Sequence, residues 1–318
     1  MFDLCAEIKS AFPDWRITIL DVGAQGGVGP MWSPIADFVR VIGFEPVTEK
    51  CRELQRRYPG NLYFDTGLWK EKGEVPFYLT PSTVYASILK PNIENFRLIG
   101  KQDAVEAFTV ERIAVNRLDD VLAPHQDVKV DFIDIDTQGT ELPILEHGVK
   151  TITNAVLGAF IEVEFIELYH EQPLFADVDR FMTTHGFDFT AFLNMSFWRS
   201  DKARMFANPQ ARFLSGNALY LRSDDISTQT KVQTEQMLKL VVIECVFGFP
   251  DLALRRLETF GACLEPGLRK RLETILVGML RAHKILRFRG KERLVRFFWW
   301  LIKRLDERPY MRIQNLGG

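Results

Sequence analysis

Short apolar runs alternate with amphipathic segments along the first two-thirds of the chain. Apolar runs rich in β-branched residues predict buried parallel strands, and segments with charges on one face predict helices. The predicted strands are residues 17–21, 39–44, 62–64, 75–79, 128–134 and 156–165, followed by an antiparallel pair at 187–193 and 218–221. The predicted helices are residues 48–58, 141–147 and 174–185. Strands that alternate with helices predict an α/β fold with a mostly parallel, doubly wound sheet.

Two segments interrupt this alternation. Residues 81–108 contain prolines and hydroxyl side chains without a clear period, which favours a loop or lid. Residues 223–231 are polar and predict a linker, and the residues beyond it show only helix-like spacing. We therefore expect a first domain over residues 1–222 and a helical C-terminal region over residues 232–318.

Composition and charge narrow the class of protein. The chain has 318 residues, of which 47% are hydrophobic and 26% charged, as in an ordinary globular protein. A net charge of -2 supplies no field for nucleic acid, so we expect no nucleic-acid partner. Cys5, Cys51, Cys245 and Cys263 are scattered, which indicates neither a zinc site nor disulfides. With no apolar leader at the N-terminus, we expect a cytoplasmic location.

A glycine-rich turn follows the first predicted strand. Gly23, Gly26 and Gly27 come directly after Asp21, and glycine lets the backbone approach a bound group closely. The spacing is not that of a dinucleotide fingerprint, because Gln25 stands at the second glycine position. It is not a phosphate loop either, because no Gly-Lys-Ser/Thr follows. The turn therefore predicts a ligand site that does not hold a pyrophosphate.

Acidic residues end several predicted strands. In a doubly wound sheet the ligand lies beyond the carboxyl ends of the strands, where Asp21, Glu45, Asp134 and Asp136 stand. Glu45 ends the second strand, and a carboxylate there can accept hydrogen bonds from both hydroxyls of a ribose. The alternative is a solvated acid before the turn at Pro46. Asp134 and Asp136 share a face and could suit Mg²⁺, but two acids do not complete its shell, so we expect no metal.

Five segments in a fixed order carry a family resemblance. They are DVGAQGG at 21–27, GFEP at 43–46, NRLDDVL at 116–122, DFIDIDTQGTEL at 131–142 and IEVEFIELYHEQPLFADVDRFMTTHGF at 161–187. Together they resemble the FkbM-type S-adenosylmethionine-dependent methyltransferases, across about residues 15–222. The resemblance implies a class I, Rossmann-like methyltransferase fold with a seven-stranded sheet whose last strand is antiparallel. It also implies methyl transfer to oxygen, most often on a sugar or polyketide hydroxyl.

The resemblance also implies which residues hold S-adenosylmethionine. The amino-acid end of the donor lies against the turn formed by Asp21, Gly23, Gln25 and Gly26, and the ribose lies on Glu45. Asp136, Gln138, Gly139 and Glu141 are expected near the methionine moiety. Two positions depart from the family pattern, since Gln25 stands where Asn is common and Asp134 where Lys is common.

Methyl transfer to a hydroxyl needs a base, and we consider three candidates: His170, Asp134 and Glu164. His170 follows the fifth strand, and a histidine of ordinary pKa suits proton removal near neutrality. The alternative is an exposed loop histidine without a role. Glu162 and Glu164 share strand parity and therefore one face of the strand, so one or both are predicted to point into the cleft. The alternative is a solvated pair near the end of the strand.

The C-terminal region concentrates positive charge. Residues 281–304 hold nine lysines and arginines against one acid, Glu292, with aromatic residues between them. This pattern is typical of a helix packed on the core with a solvated basic face, of a homo-oligomer contact, or of peripheral membrane binding at the inner face of the membrane.

The sequence thus predicts an S-adenosylmethionine-dependent O-methyltransferase that acts on a hydroxyl of a sugar in a glycan, glycolipid or glycosylated metabolite. A nicotinamide-dependent oxidoreductase is disfavoured by Gln25 and by the missing third glycine of the fingerprint. A non-catalytic, nucleoside-binding interaction protein stays open because Asp134 reverses a charge at the active end of the sheet.

Overall fold

The computed structural model describes residues 1–23, 29–125, 128–198, 211–223, 231–282 and 310–313. Its strands are β1 Ile17–Val22, β2 Val39–Phe44, β3 Leu62–Phe64, β4 Gly67–Leu68, β5 Gly73–Leu79, β6 Thr109–Asn116, β7 Phe132–Ile135, β8 Gly158–Glu164, β9 Phe187–Trp198, β10 Arg212–Arg222 and β11 Tyr310–Ile313. Its α-helices are α1 Phe2–Ala11, α2 Thr48–Arg57, α3 Ile93–Leu98, α4 Leu118–Leu122, α5 Glu141–Glu146, α6 Val149–Ala155, α7 Phe175–Thr184, α8 Lys231–Val246, α9 Pro250–Phe260 and α10 Pro266–Ala282.

The main sheet has the strand order β3-β2-β1-β7-β8-β10-β9-β11. The first five strands in that order are parallel, and β10 is antiparallel to both β8 and β9. This arrangement confirms the predicted class I fold, in which the seventh strand is inserted antiparallel. The predicted helical C-terminal extension is confirmed by α8, α9 and α10, and an eighth strand that was not predicted, β11, lies at the edge of the sheet, antiparallel to β9. A four-residue strand carries too little pattern to be recognised before its partner is known.

A second, three-stranded sheet has the order β4-β6-β5. Its strand β5 was predicted, whereas β4 and β6 were not. The segment predicted as loop or lid, residues 81–108, contains α3 as well as short 3-10 turns, so it is only partly irregular. Helices α1, α4 and α6 were also not predicted.

Two hydrophobic cores lie on the two faces of the main sheet. In β1, Ile17 and Ile19 face a core that includes α1, α8, α9 and α10, while Leu20 and Val22 face the core under α5, α6 and α7. The alternation follows from the two-residue period of a strand. Both faces are covered, which explains why the parallel strands read as continuous apolar runs.

The C-terminal helices take part in the core of the sheet. Between β1 and β2, the described residues 29–38 form only a 3-10 turn, Ser33–Phe38, and α8 packs on this face instead. Lys239 of α8 places its Nζ 2.8 Å from both carboxylate oxygens of Asp131, which is 2% exposed and also accepts the Thr18 N–H. The boundary at 222 stays a prediction, and residues 224–230 of the predicted linker lie outside the described residues.

Within the described part of the chain, no helix is both long and apolar enough to cross a membrane. Of the basic stretch 281–304, only Arg281 and Ala282 belong to the described residues.

Candidate active site

A cavity of about 290 Å³ lies beyond the carboxyl ends of β1, β2 and β7. Its polar side is formed by residues that directly follow these strands, among them Gly23, Glu45, Asp136 and Gln138. Its apolar side comes from the small sheet, including Phe77, Leu79 and Ile113. The cavity therefore lies where a doubly wound sheet binds its ligand.

Residues 81–89, which we call the cover segment, form one wall of the cavity. Thr83, Val84, Ala86 and Ile88 line it. The Ser87 Oγ donates a hydrogen bond to the main-chain oxygen of Gln138 at 2.7 Å, which fastens the cover segment to the turn after β7. The part of the predicted lid nearest to β5 therefore covers the site.

Gly23 has a φ of +94°, in the left-handed region that favours glycine. A Cβ at this position would lie 2.5 Å from the main-chain oxygen of Asp136, so β1 and β7 can approach each other here only because residue 23 is glycine. Asp21, two residues earlier, pairs in register with Asp134. Gln25 and Gly26, also predicted to bind the cofactor, lie outside the described residues.

Glu45 directly follows β2 and lines the cavity with only 3% of its surface exposed. Its Oε1 accepts the Val47 N–H at 2.8 Å, and its Oε2 has no hydrogen-bond partner among the described residues. Burial raises the pKa of Glu45, while the Val47 N–H and the nearby Lys50 act in the opposite direction. Because the Val47 N–H fixes Oε1 and leaves Oε2 available, the Glu45 carboxylate is suited to accept hydrogen bonds from ligand hydroxyls.

Further carboxylates gather at the ends of β1, β7 and β8. This carboxylate group comprises Asp21, Asp134, Asp136, Glu141, Glu162 and Glu164. Burial is the main cause of the raised pKa of five members. The pKa is raised to about 7 for Asp134 and Glu141, and it is raised well above its ordinary value for Asp21, Glu162 and Glu164. Asp136 adds to each increase by repulsion. Of the group, only Asp136 lines the cavity itself.

Two glutamine amides bind these carboxylates. Gln138 Nε2 donates to Asp136 Oδ1 at 2.7 Å and also to Glu162 Oε2. Gln172 Nε2 donates to Glu164 Oε2 at 2.6 Å. Gln172 was not predicted as a site residue, because it lies in a loop without a sequence period and contacts Glu164 only in the folded chain.

Three members of the carboxylate group could share one cation. Oxygen atoms of Asp136, Glu141 and Glu162 all lie within 4.8 Å of one another. Gln138 Nε2 already donates to the first and the last of these, and Glu141 Oε1 accepts hydrogen bonds from Thr137 and Gly139. These hydrogen bonds occupy one oxygen of each carboxylate, and the expectation of no metal stays our prediction.

The three candidate bases lie in different surroundings. Asp134 is half-buried within the carboxylate group, and Glu164 is buried against Gln172. His170 is exposed and does not line the cavity, and its main-chain N–H donates to the Lys90 oxygen at 2.9 Å. Proximity to the other polar groups favours Asp134 over His170, and the role of each stays a prediction.

We expect Asp134→Asn to stabilise the protein above neutral pH. Asp134 has its pKa raised from 3.8 to about 7 by burial and by Asp136, so the folded state binds more protons than the unfolded state between these values. The free energy of unfolding therefore falls as pH rises from about 4 to about 7, by up to about 4 kcal/mol for this residue at about 1.4 kcal/mol per unit.

Urea unfolding of the parent and of Asp134→Asn at pH 4.5 and pH 8 measures this effect. The two proteins should differ little at pH 4.5, and the variant should be the more stable at pH 8. Equal stability at both pH values would contradict the prediction. Asp120→Asn is the matched control, because Asp120 forms an exposed ion pair with Arg117.

The chain matches a known protein family and is similar to solved structures. A family model described as the methyltransferase FkbM domain matches residues 21–189. The chain is similar to the crystal structure of a methyltransferase FkbM from Methylobacillus flagellatus KT, with 15% identity and a TM-score of 0.37 over 65% of this chain and 43% of that one. It is also similar to magnesium protoporphyrin IX methyltransferase from Synechocystis PCC 6803, with 10% identity and a TM-score of 0.33 over 70% and 76% of the two chains.

No curated protein sequence matches the chain. The chain spans less than half of the length of the Methylobacillus structure. The family model, in contrast, covers 169 of the 318 residues and includes the end of β1, all of β2, β7 and β8, and the residues that line the cavity. The chain therefore belongs to the methyltransferase FkbM domain family.

Proposed function

We propose that this methyltransferase transfers the methyl group to a hydroxyl of a sugar in a glycan, glycolipid or glycosylated metabolite. The observation that carries the proposal is a row of polar side chains on one sheet face beside the cavity. Strand register sets Asn217 opposite Glu162 and Ser215 opposite Glu164, and Asp134 lies on the adjacent strand β7. Carboxylate, amide and hydroxyl groups in a row supply the many hydrogen bonds that a sugar needs.

The residues of the cavity fit S-adenosylmethionine. Gly23 leaves space that a Cβ would fill, and Glu45 presents an open carboxylate oxygen suited to ribose hydroxyls. Glu45, Gly23, Asp136 and Gln138 would hold the cofactor. When bound, S-adenosylmethionine supplies a methyl carbon activated by a positively charged sulfur. Membership in a methyltransferase family favours methyl transfer over the nicotinamide alternative. Binding of S-adenosylmethionine without methyl transfer to any acceptor would instead favour the non-catalytic alternative.

The chain's own residues then have three tasks. Asp136, the member of the carboxylate group that lines the cavity, stabilises a positive charge at its polar end. Asp134, whose pKa of about 7 lies near neutrality, accepts the proton of the attacking hydroxyl. The cover segment excludes water through the apolar side chains of Val84, Ala86 and Ile88.

Radiolabelled S-adenosylmethionine tests the proposal against a panel of glycosides, glycolipids and non-sugar alcohols of similar size. We expect label in sugar acceptors, and loss of label when the reacting hydroxyl is replaced by hydrogen. Asp134→Asn should lower the transfer rate by about 100-fold while S-adenosylmethionine still binds. Label in non-sugar alcohols alone would overturn the sugar acceptor, and an unchanged rate in the variant would overturn Asp134 as the base.

We further propose a cytoplasmic enzyme that uses residues 281–304 for a homo-oligomer contact or for binding at the inner face of the membrane. The nine positive charges and interleaved aromatic residues of this stretch support the proposal. Binding to anionic vesicles should then be salt-sensitive and should disappear in a chain that ends before Arg281. Equal vesicle binding by that shorter chain would exclude the membrane contact, and an unchanged mass in solution would exclude the oligomer contact.

A further inference from the structure

Tyr169 touches both glutamines that bind the carboxylate group. Its main-chain N–H donates to Gln172 Oε1 at 3.1 Å, and its hydroxyl lies 3.0 Å from Gln138 Oε1. Neither contact was foreseen, because Tyr169 belongs to a loop 31 residues away from Gln138 in the chain. One tyrosine thus contacts the oxygen end of each amide, and the nitrogen end of each amide faces a carboxylate.

The Gln138 amide is held at both ends. The Tyr169 hydroxyl is a donor for its oxygen, and the two carboxylates, Asp136 and Glu162, are acceptors for its nitrogen. If the Gln138 side-chain amide were rotated by 180°, its oxygen would face the carboxylate oxygens of Asp136 and Glu162 and would be repelled by them. The backbone at Gln138 has a φ of +59°, and its main-chain oxygen is held by Ser87, so the whole residue occupies one defined position.

Tyr169 is itself well fixed. Its side chain is 0% exposed, and its ring packs edge-on against Phe96 with 5.7 Å between centroids. The hydroxyl also lies 3.1 Å from the main-chain oxygen of Tyr85, which belongs to the cover segment, so its single proton is shared between this oxygen and Gln138 Oε1. The same hydroxyl therefore connects the cover segment to the amide between the carboxylates.

We propose that Tyr169 is a positioning residue of the cofactor site: its hydroxyl holds the Gln138 amide on two carboxylates and links this arrangement to the cover segment. Asp136 and Gln138 line the cavity, so the arrangement reaches the bound cofactor directly. The inference depends on the cofactor and not on the identity of the acceptor.

The effect should depend on the positive charge of the ligand. Asp136 lines the cavity, and a carboxylate in that position, held by an amide donor, favours a cationic ligand. S-adenosylmethionine carries a sulfonium charge that S-adenosylhomocysteine lacks. Without the Tyr169 hydroxyl, the amide loses a partner and the carboxylates lose a fixed donor. Binding of the charged ligand should therefore weaken more than binding of the neutral thioether.

Calorimetric titration of the full chain with both ligands tests the proposal. In Tyr169→Phe we expect affinity for S-adenosylmethionine to fall about tenfold, as when a buried acceptor loses its donor, and affinity for S-adenosylhomocysteine to fall less. The matched control is Tyr220→Phe, which removes another buried hydroxyl, bound to Asp179 at 3.1 Å in the core away from the cavity. This control should leave the ratio of the two affinities unchanged.

Gln138→Ala, alone and with Tyr169→Phe, completes a double-mutant cycle. If Tyr169 acts through Gln138, the single variant should show the same charge-dependent loss, and adding Tyr169→Phe should change little more. An unchanged affinity ratio in Tyr169→Phe, or additive losses in the double variant, would overturn the proposal. Should Tyr169→Phe not fold, an unchanged ratio in Gln138→Ala alone would be enough to overturn it. Failure of the parent to bind either ligand would overturn the cofactor assignment together with this inference.

Discussion

A chain that ends at Ser223 is expected not to fold. It lacks α8, α9 and α10, whose buried residues form much of the core on one face of the main sheet. These residues include Met237, Leu238, Leu240, Val241, Ala253, Leu257, Leu268, Leu272 and Leu276. Each buried large aliphatic side chain contributes about 1.5–3 kcal/mol, while a whole domain is stable by only about 5–15 kcal/mol. The loss therefore exceeds the total stability.

The truncation also leaves a buried charge without its partner. Asp131 would lose Lys239, and breaking a buried ion pair in this way typically costs about 3–5 kcal/mol. Circular dichroism and thermal unfolding measure the outcome. A chain that ends at Ala282 is the matched control, since it keeps α8–α10 and should unfold cooperatively. Cooperative unfolding of the chain ending at Ser223 would show that the C-terminal helices are dispensable.

Gly23→Ala is expected to lower the affinity for S-adenosylmethionine by about 100-fold or more. The new Cβ would lie 2.5 Å from the Asp136 main-chain oxygen, at a φ of +94° that alanine rarely adopts. Strain of this kind is about 1–3 kcal/mol before the clash is counted, and relief requires β1 and β7 to separate at the cavity. The cofactor site therefore loses its shape at the point where both strands end.

Calorimetric titration with S-adenosylmethionine measures this affinity, and Gly60→Ala is the matched control. Gly60 has an ordinary φ, and a Cβ there would meet no atom within 4 Å, so binding should be unchanged. Glu45→Ala tests the same cavity without backbone strain, and it should also weaken binding strongly because the ribose loses its acceptor. Parent-like binding by Gly23→Ala would show that the cofactor does not approach this turn.

The β-α alternation that places the site could be predicted because it follows from local patterns. Apolar runs such as Ile17–Leu20 identify buried strands wherever they occur, and the order of strands and helices limits the topology to few choices. The same reasoning predicted that Gly23 and Glu45 follow their strands, and the structure places both residues at the cavity. Short elements such as β4, β11 and α6 escaped because few residues carry their pattern.

By itself, the sequence determined the sheet, its parallel strands and the carboxyl ends of those strands, where a ligand binds. It could do so because the side-chain period of a strand and the residue that ends it are local properties. Only the tertiary structure decided that α8 covers the sheet face beside β1 and that Tyr169 holds the Gln138 amide. It also decided which carboxylates become hard to ionise, because burial and repulsion depend on neighbours that are distant in the chain. Such contacts arise when elements that are distant in the sequence pack together, and no local sequence pattern predicts them.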